Sequence, residues 1–308
     1  MVALLFPGQG SQFVGMGRDL ADRFPVARAT FEEADATLGL ALSRLMWEGP
    51  EADLTATSNA QPAILAHSVA VLRVLRERNA DTSFDYAAGH SLGEFSAYVA
   101  AGSLAFDDAL RTVRRRGELM LAAGQARPGT MAALLGLEDA VVDRVCRDAS
   151  AADGVVVPAN YNAPAQVVIS GDVAAVERAL ELARQAGARK VIPLKVSGAF
   201  HSPLMEGAVP GLRDQLEAVV LQAPAFPVVS NVTAEPVRDA ESARQLLLRQ
   251  LTSPVRWTDS MRMLVGAGVD RFLEPGPGTV LAGLLKRVSR DVDTRSLGTA
   301  AEIEAWTA

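Results

Sequence analysis

Apolar positions along the chain fall into short runs that alternate between strand-like and helix-like spacing. Val2 to Phe6 is a continuous apolar stretch ending at Pro7-Gly8-Gln9-Gly10, the pattern of a strand buried on both faces that runs into a glycine-rich turn. Residues 62–78 open on Pro62 and carry Ile64, Leu65, Val69, Leu72 and Leu75 on one helical stripe. Tyr86 to Ala88 predicts a short strand, followed at once by GHSLGE and the small-residue helix FSAYVAAGSL; a further helix covers 106–123. Near the C-terminus, VDRFLEPGPGTVLAGLLKRV predicts strand, Gly/Pro loop and helix. Strands separated by helices imply an α/β protein with a mainly parallel sheet covered on both faces.

The middle of the chain has a different rhythm. MAALLGL (131–137) is strand-like, and 138–149 is a helix with Val141, Val142, Val145 and Cys146 inward. VVVPANYN and AQVVISG read as two strands joined at Ala163-Pro164, followed by a helix over 172–186 and a strand over 189–196. That order is βαββαβ, the ferredoxin-like pattern. It occupies 127–196 and is read as a subdomain inserted into a body made of 1–126 and 197–308. A cleft between body and insert is where a ligand site is expected.

Composition narrows the chemistry. With 308 residues, 49% hydrophobic and 21% charged, the chain can bury a large core. The single cysteine, Cys146, excludes an internal disulfide framework and any multi-cysteine metal site; its place on the apolar helix face predicts a buried thiol. Three histidines, His67, His90 and His201, would all be needed for a three-histidine metal site, so no metal is expected. A net charge of −6 argues against nucleic acid or an anionic membrane as partner. The apolar start is too short for a signal-peptide core, and no run spans a bilayer, so a cytoplasmic location is expected.

Gly89-His90-Ser91-Leu92-Gly93 is a G-x-S-x-G sequence between a predicted strand and helix. That setting holds a serine on a tight turn with its hydroxyl projecting and aims the next residue's amide at a developing oxyanion. A plain glycine-rich turn is the alternative reading. A nucleophilic serine needs a base. His90 adjoins Ser91, and neighbouring side chains on such a turn diverge; His67 shares a helix face with Val71 and Val74 and reads as structural. His201 remains, before Ser202-Pro203, a helix cap and first residue whose positive helix end would keep the imidazole neutral. In the GQGSQ turn Phe13 replaces the third glycine of a dinucleotide fingerprint, and the turn can instead present the Gln9 amide as a second oxyanion donor. In the run 111–116, Arg116 follows Ala109 and Val113 and precedes Met120 on the inward stripe. A buried guanidinium needs an anion, either a substrate carboxylate or an internal Asp or Glu.

Taken together, FPGQGSQ (6–12), AQPAI (60–64), GHSLGEFSAYVAAG (89–102), RRGELM (115–120), NYNAPAQVVISG (160–171), GAFHSPLM (198–205) and RQLTSPVRW (249–257) resemble the malonyl-CoA:acyl carrier protein transacylases. The resemblance implies an α/β-hydrolase-like core with the ferredoxin-like insert. It implies Ser91 as nucleophile, His201 as base, the Gln9 and Leu92 amides as oxyanion hole and Arg116 as grip on the malonyl carboxylate. It further implies that Gln61, Asn160 and Gln166 line the pocket, that the Gln250 carbonyl orients His201, and that Phe200 and Leu92 select malonyl over branched acyl groups. The implied reaction is ping-pong transfer from malonyl-CoA to the phosphopantetheine thiol of acyl carrier protein, with no cofactor and a monomeric enzyme. Arg189, Lys190 and Lys195, or Lys286 and Arg287, are candidate carrier contacts. A polyketide-pathway acyltransferase, a serine thioesterase or hydrolase, and a non-catalytic carrier-binding protein stand as alternatives.

Overall fold

The computed structural model describes residues 1–78, 83–150 and 154–306. β1 (Val2–Phe6) is followed by α1 (Arg18–Arg23), α2 (Pro25–Leu38), α3 (Leu42–Glu48), α4 (Glu51–Thr55) and the long α5 (Thr57–Arg78). β2 (Tyr86–Gly89), α6 (Gly93–Ala100) and α7 (Phe106–Ala126) come next. The middle comprises β3 (Gly129–Leu135), α8 (Asp139–Ala149), β4 (Val156–Ala163), β5 (Gln166–Asp172), α9 (Val173–Gln185) and β6 (Lys190–Pro193). A 3-10 helix (Pro203–Ala208), α10 (Val209–Ala218), β7 (Val228–Val229), β8 (Pro236–Val237), α11 (Ala240–Arg249) and α12 (Trp257–Gly266) follow. The chain continues through β9 (Arg271–Pro275), α13 (Val280–Val288), β10 (Asp293–Leu297) and α14 (Ala300–Ala305).

Among the described residues the strands form a six-stranded sheet, β10-β9-β1-β2-β7-β8, and a four-stranded sheet, β4-β5-β3-β6. In the first, β10 through β7 run parallel and only β8 is antiparallel. β1 is central because its successive residues serve opposite faces: Leu4 and Phe6 join one core, Ala3 and Leu5 the other. The second sheet is antiparallel throughout. One of its faces packs Ala132, Leu134, Val167 and Ile169 under α8 and α9, while Met131 and Val168 turn to the main core.

The predicted elements are present, with shifted ends. α5 starts five residues before Pro62, which therefore sits inside the helix. Proline lacks the N–H that would bond the carbonyl of Ser58, and Arg114 Nη1 donates to that carbonyl instead at 3.3 Å. The hairpin turn falls at Pro164-Ala165, one residue later than expected, with Ala165 at φ 57°. Ser202 caps as expected, its hydroxyl accepting from the Leu204 amide at 3.2 Å, but the helix it starts is 3-10. Cys146 is buried, and burial pushes its thiol up to about 12. No described helix is long and apolar enough to cross a membrane.

Candidate active site

Parallel pairing of β1 with β2 aligns Phe6 with Gly89, so the two turns that follow lie side by side at one sheet edge. The His90 amide donates to the Phe6 carbonyl at 3.0 Å. Ser91 has φ 52°, a left-handed conformation that costs a non-glycine residue about 1–3 kcal/mol and persists only where the surroundings enforce it. The flanking glycines permit the turn: a Cβ on Gly93 would lie 2.1 Å from the Phe6 carbonyl oxygen, and one on Gly89 would lie 1.9 Å from Gly93 itself. Asn231 Oδ1 accepts the Ser91 amide at 2.7 Å, and its Nδ2 donates to the Gly89 carbonyl at 2.6 Å. The strained serine is thus held from both sides.

Ser91 Oγ lies 2.8 Å from His201 Nε2, and His201 Nδ1 lies 2.9 Å from the Gln250 carbonyl oxygen. A main-chain carbonyl can only accept, so Nδ1 carries the proton and Nε2 is free to accept from the serine. His201 is nearly inaccessible to solvent, and burial, reinforced by the nearby Arg116 charge, lowers its pKa to about 3. Desolvation and a guanidinium, neither of which was expected from the sequence, thus keep this imidazole neutral.

The cleft around this pair has a volume of about 400 Å³ and lies between the first sheet and the inner face of the second. Gln9, Leu92, Arg116, Asn160 and Phe200 line it, as do Met131 and Val168 from the second sheet. The amides of Gln9 and Leu92 have no hydrogen-bond partner among the described residues, whereas those of Gly93, Glu94 and Phe95 bond turn carbonyls. Two unspent donors at the cleft beside Ser91 are what an oxyanion requires.

Arg116 is inward as predicted, 1% exposed. Its Nη1 donates to Gln61 Oε1 at 2.7 Å, and its Nη2 to Gln250 Oε1 at 2.9 Å and to Ser91 Oγ at 3.1 Å. Burial lowers it to about 10. Gln61 is correspondingly not a lining residue: buried on α5, it holds Arg116 through its oxygen and Thr57 through its amide. Thr57 in turn donates to Gln9 Oε1 at 2.9 Å, so one polar chain ties the Gln9 loop to the guanidinium.

Gln166 lies outside the cleft. It opens β5 at the hairpin end, two residues before the lining Val168, and accepts from Arg287 of α13. Two strand residues carry it roughly 7 Å along the sheet, enough to leave the cleft. His67 is buried without a side-chain partner, and burial holds it near 3, consistent with a structural residue. His90 points away from Ser91, its Nε2 2.8 Å from Asn162 Oδ1 on β4. Sequence reasoning missed Asn231, Asn162 and Glu94. Only Glu94 had a local signal, a carboxylate at the head of an otherwise apolar helix.

The acyl transferase domain model matches residues 3–302. The malonyl CoA-acyl carrier protein transacylase of Bacillus subtilis is 46% identical over 303 residues, covering 98% of this chain and 95% of that protein. An acyl carrier protein S-malonyltransferase from Vibrio cholerae superposes with TM-score 0.95 at 43% identity, covering 99% of each chain. A malonyl-transacylase solved in complex with a type II PKS acyl-carrier protein superposes with TM-score 0.94 at 43% identity, covering 98% of this chain and 97% of that one. The fold and the family model are those of an acyltransferase. Within that class, the chain belongs to the malonyl CoA-acyl carrier protein transacylase family.

Proposed function

We infer that this protein transfers the malonyl group from malonyl-CoA to the phosphopantetheine thiol of acyl carrier protein, through a malonyl-serine intermediate. The observation that carries the reading is the contact of Arg116 Nη2 with Ser91 Oγ at 3.1 Å, which puts a buried cation beside the nucleophile with no carboxylate bonded to it among the described residues. An acyl group bearing its own carboxylate supplies the missing anion. Ser91 Oγ attacks the thioester carbon while its proton passes to His201 Nε2, and the amides of Gln9 and Leu92 receive the oxyanion. The tetrahedral intermediate collapses, and CoA leaves as the thiol with the proton from His201. The carrier thiol then enters, gives its proton to His201, and removes the malonyl group by the reverse sequence. Nucleophile, base and oxyanion donors are all protein groups, so the proposed reaction uses no metal or redox cofactor.

Phe200, lining the cleft beside His201, supports selection of malonyl over an α-branched acyl group. Among the candidate carrier contacts, Lys195 lines the cleft and Arg287 is engaged by Gln166 and the Pro164 carbonyl, which favours the insert side. Strand order β4-β5-β3-β6 and a separate core under α8 and α9 support the ferredoxin-like insert over 127–196, and the parallel sheet supports an α/β-hydrolase-like body over 1–126 and 197–308. We further propose a monomer acting in the cytoplasm in fatty acid biosynthesis, as the family resemblance implies. The relative bound to a type II PKS carrier gives the polyketide pathway as the second reading.

Intact-mass measurement after mixing with malonyl-CoA tests the function. Wild type gains one malonyl group and keeps it until a thiol is added, whereas Ser91→Ala gains none. Immediate release of free malonate without a thiol acceptor identifies a hydrolase and overturns the reading.

A further inference from the structure

Glu94, the second residue of α6, is completely buried and forms no ion pair among the described residues. Its Oε2 accepts from Gln250 Nε2 at 2.6 Å and from the Asn231 amide at 3.2 Å. The Gln250 Nε2 group donates its other hydrogen to the Ser91 carbonyl at 3.0 Å. Both amide hydrogens are thereby spent, and Oε1 alone is left to accept from Arg116 Nη2. An ionised carboxylate only accepts, so it dictates which end of the neighbouring amide faces it.

We propose that Glu94 is a positioning residue that, when ionised, fixes the Gln250 side-chain amide with its oxygen toward Arg116 and so aligns the guanidinium for the acyl carboxylate. The proposal rests on the malonyl-transfer reading of the site. The Glu94 carboxylate has no hydrogen bond to Ser91 Oγ, and Glu94 does not itself line the cleft. Protonation falls on Oε1, which has no hydrogen-bond partner, and leaves Oε2 a neutral acceptor whose bond to the Gln250 Nε2 group, no longer charge-assisted, holds the amide and through it the guanidinium less firmly. The Gln250 main chain is held separately, its N–H bonding the Leu246 carbonyl at 2.9 Å, so the carbonyl that supports His201 stays in place. Loss of the Glu94 charge should therefore damage handling of a carboxylated acyl group far more than that of a neutral one.

The groups that bear on Glu94 electrostatically are Arg116 from α7 and Tyr98 one turn along α6, with Asp239 at the start of α11 acting on Tyr98; His201 lies on the far side of Gln250. Burial raises Glu94 to about 7, and the hydrogen bonds from Gln250 and Asn231 and the Arg116 charge act against that rise. Because His201 is lowered to about 3, a transition near neutrality in the handling of the acyl carboxylate is not that of the base, and Glu94 is the group beside Gln250 and Arg116 that is raised to about 7.

The test measures Ser91 loading from malonyl-CoA and acetyl-CoA between about pH 5.5 and 8.5 for wild type and Glu94→Gln. The wild-type malonyl-to-acetyl ratio should fall as pH drops through about 7. In Glu94→Gln it should be flat and at least about tenfold below the wild-type value at high pH. A variant with the wild-type ratio and the wild-type pH dependence overturns the proposal. The side-chain amide signal of Gln250 in 15N-glutamine-labelled wild type needs no acyl donor and no variant. It should move with the same midpoint, and a signal invariant with pH overturns the proposal. Wild type that never loads malonyl refutes the function instead, while the amide signal still decides the role of Glu94.

Discussion

Two strand–turn–helix units flank β1, β2 leading into α6 on one side and β9 leading into α13 on the other. Both strands run parallel to β1, both turns are glycine-rich, and both units bury a glutamate that desolvation raises to about 7. They differ in where the helix amides go. In the second unit Glu274 accepts from the Leu281 and Ala282 amides, each at 2.9 Å, and from Ser296 Oγ at 3.1 Å. That helix start is filled from within. In the first, the glutamate turns away to Gln250 and Asn231, and the Leu92 amide stays unspent at the cleft. A buried carboxylate that fills its own helix start competes with any outside anion for those amides, and one that turns away leaves them to a ligand.

Arg116→Ala should give the largest separation between the units. Removing a buried charge partner costs roughly 2–5 kcal/mol, so malonyl loading should fall by about 30- to 5,000-fold, with neutral acyl groups gaining relatively. Unchanged acyl preference in a mass assay refutes its role. Next is Gly93→Ala, whose new Cβ meets the Phe6 carbonyl oxygen at 2.1 Å; a loss of at least ~3 kcal/mol is expected in urea unfolding.

Glu274→Gln sharpens the comparison through pH. The folded protein holds this proton more tightly than the unfolded chain, so the wild-type contribution is fully present below 4.5 and is lost as pH rises through about 7. The stability penalty of the glutamine should therefore shrink between about pH 5 and 8, with acyl transfer unchanged. A penalty that grows contradicts the sign. The smallest effect is expected at Gly283 of α13, where an added Cβ meets nothing within 4 Å. Gly283→Ala should stabilise by about 0.5–1 kcal/mol by removing backbone freedom from the unfolded chain, readable as a small rise in Tm.

Much of the first unit was legible in the sequence. The elbow is a contiguous segment whose backbone needs are written in its own glycines. Ser202-Pro203 marks a helix start locally, and Arg116 betrays its burial by periodicity alone. The roles of Gln61 and Gln166 were not legible. Both were expected in the pocket, but Gln61 is drawn under Arg116 by a hydrogen bond across 55 residues, and Gln166 is carried past the cleft by the length of β5. The cause of the His201 shift was missed because burial depends on what packs around a loop.

By itself, then, the sequence determined the alternation of elements, the strained turn that carries Ser91 and the scarcity of histidines that singled out His201 as its partner. These follow from local sterics, side-chain period and residue type. Tertiary structure alone decided that Glu94, Gln250, Arg116 and Asn231 meet beneath the elbow, and that the buried glutamate of β9–α13 turns to its own helix start while that of β2–α6 turns away. That meeting depends on hydrogen bonds between residues more than 130 positions apart, such as Arg116 to Gln250 and Asn231 to Ser91, and no local pattern encodes which distant donor meets which acceptor.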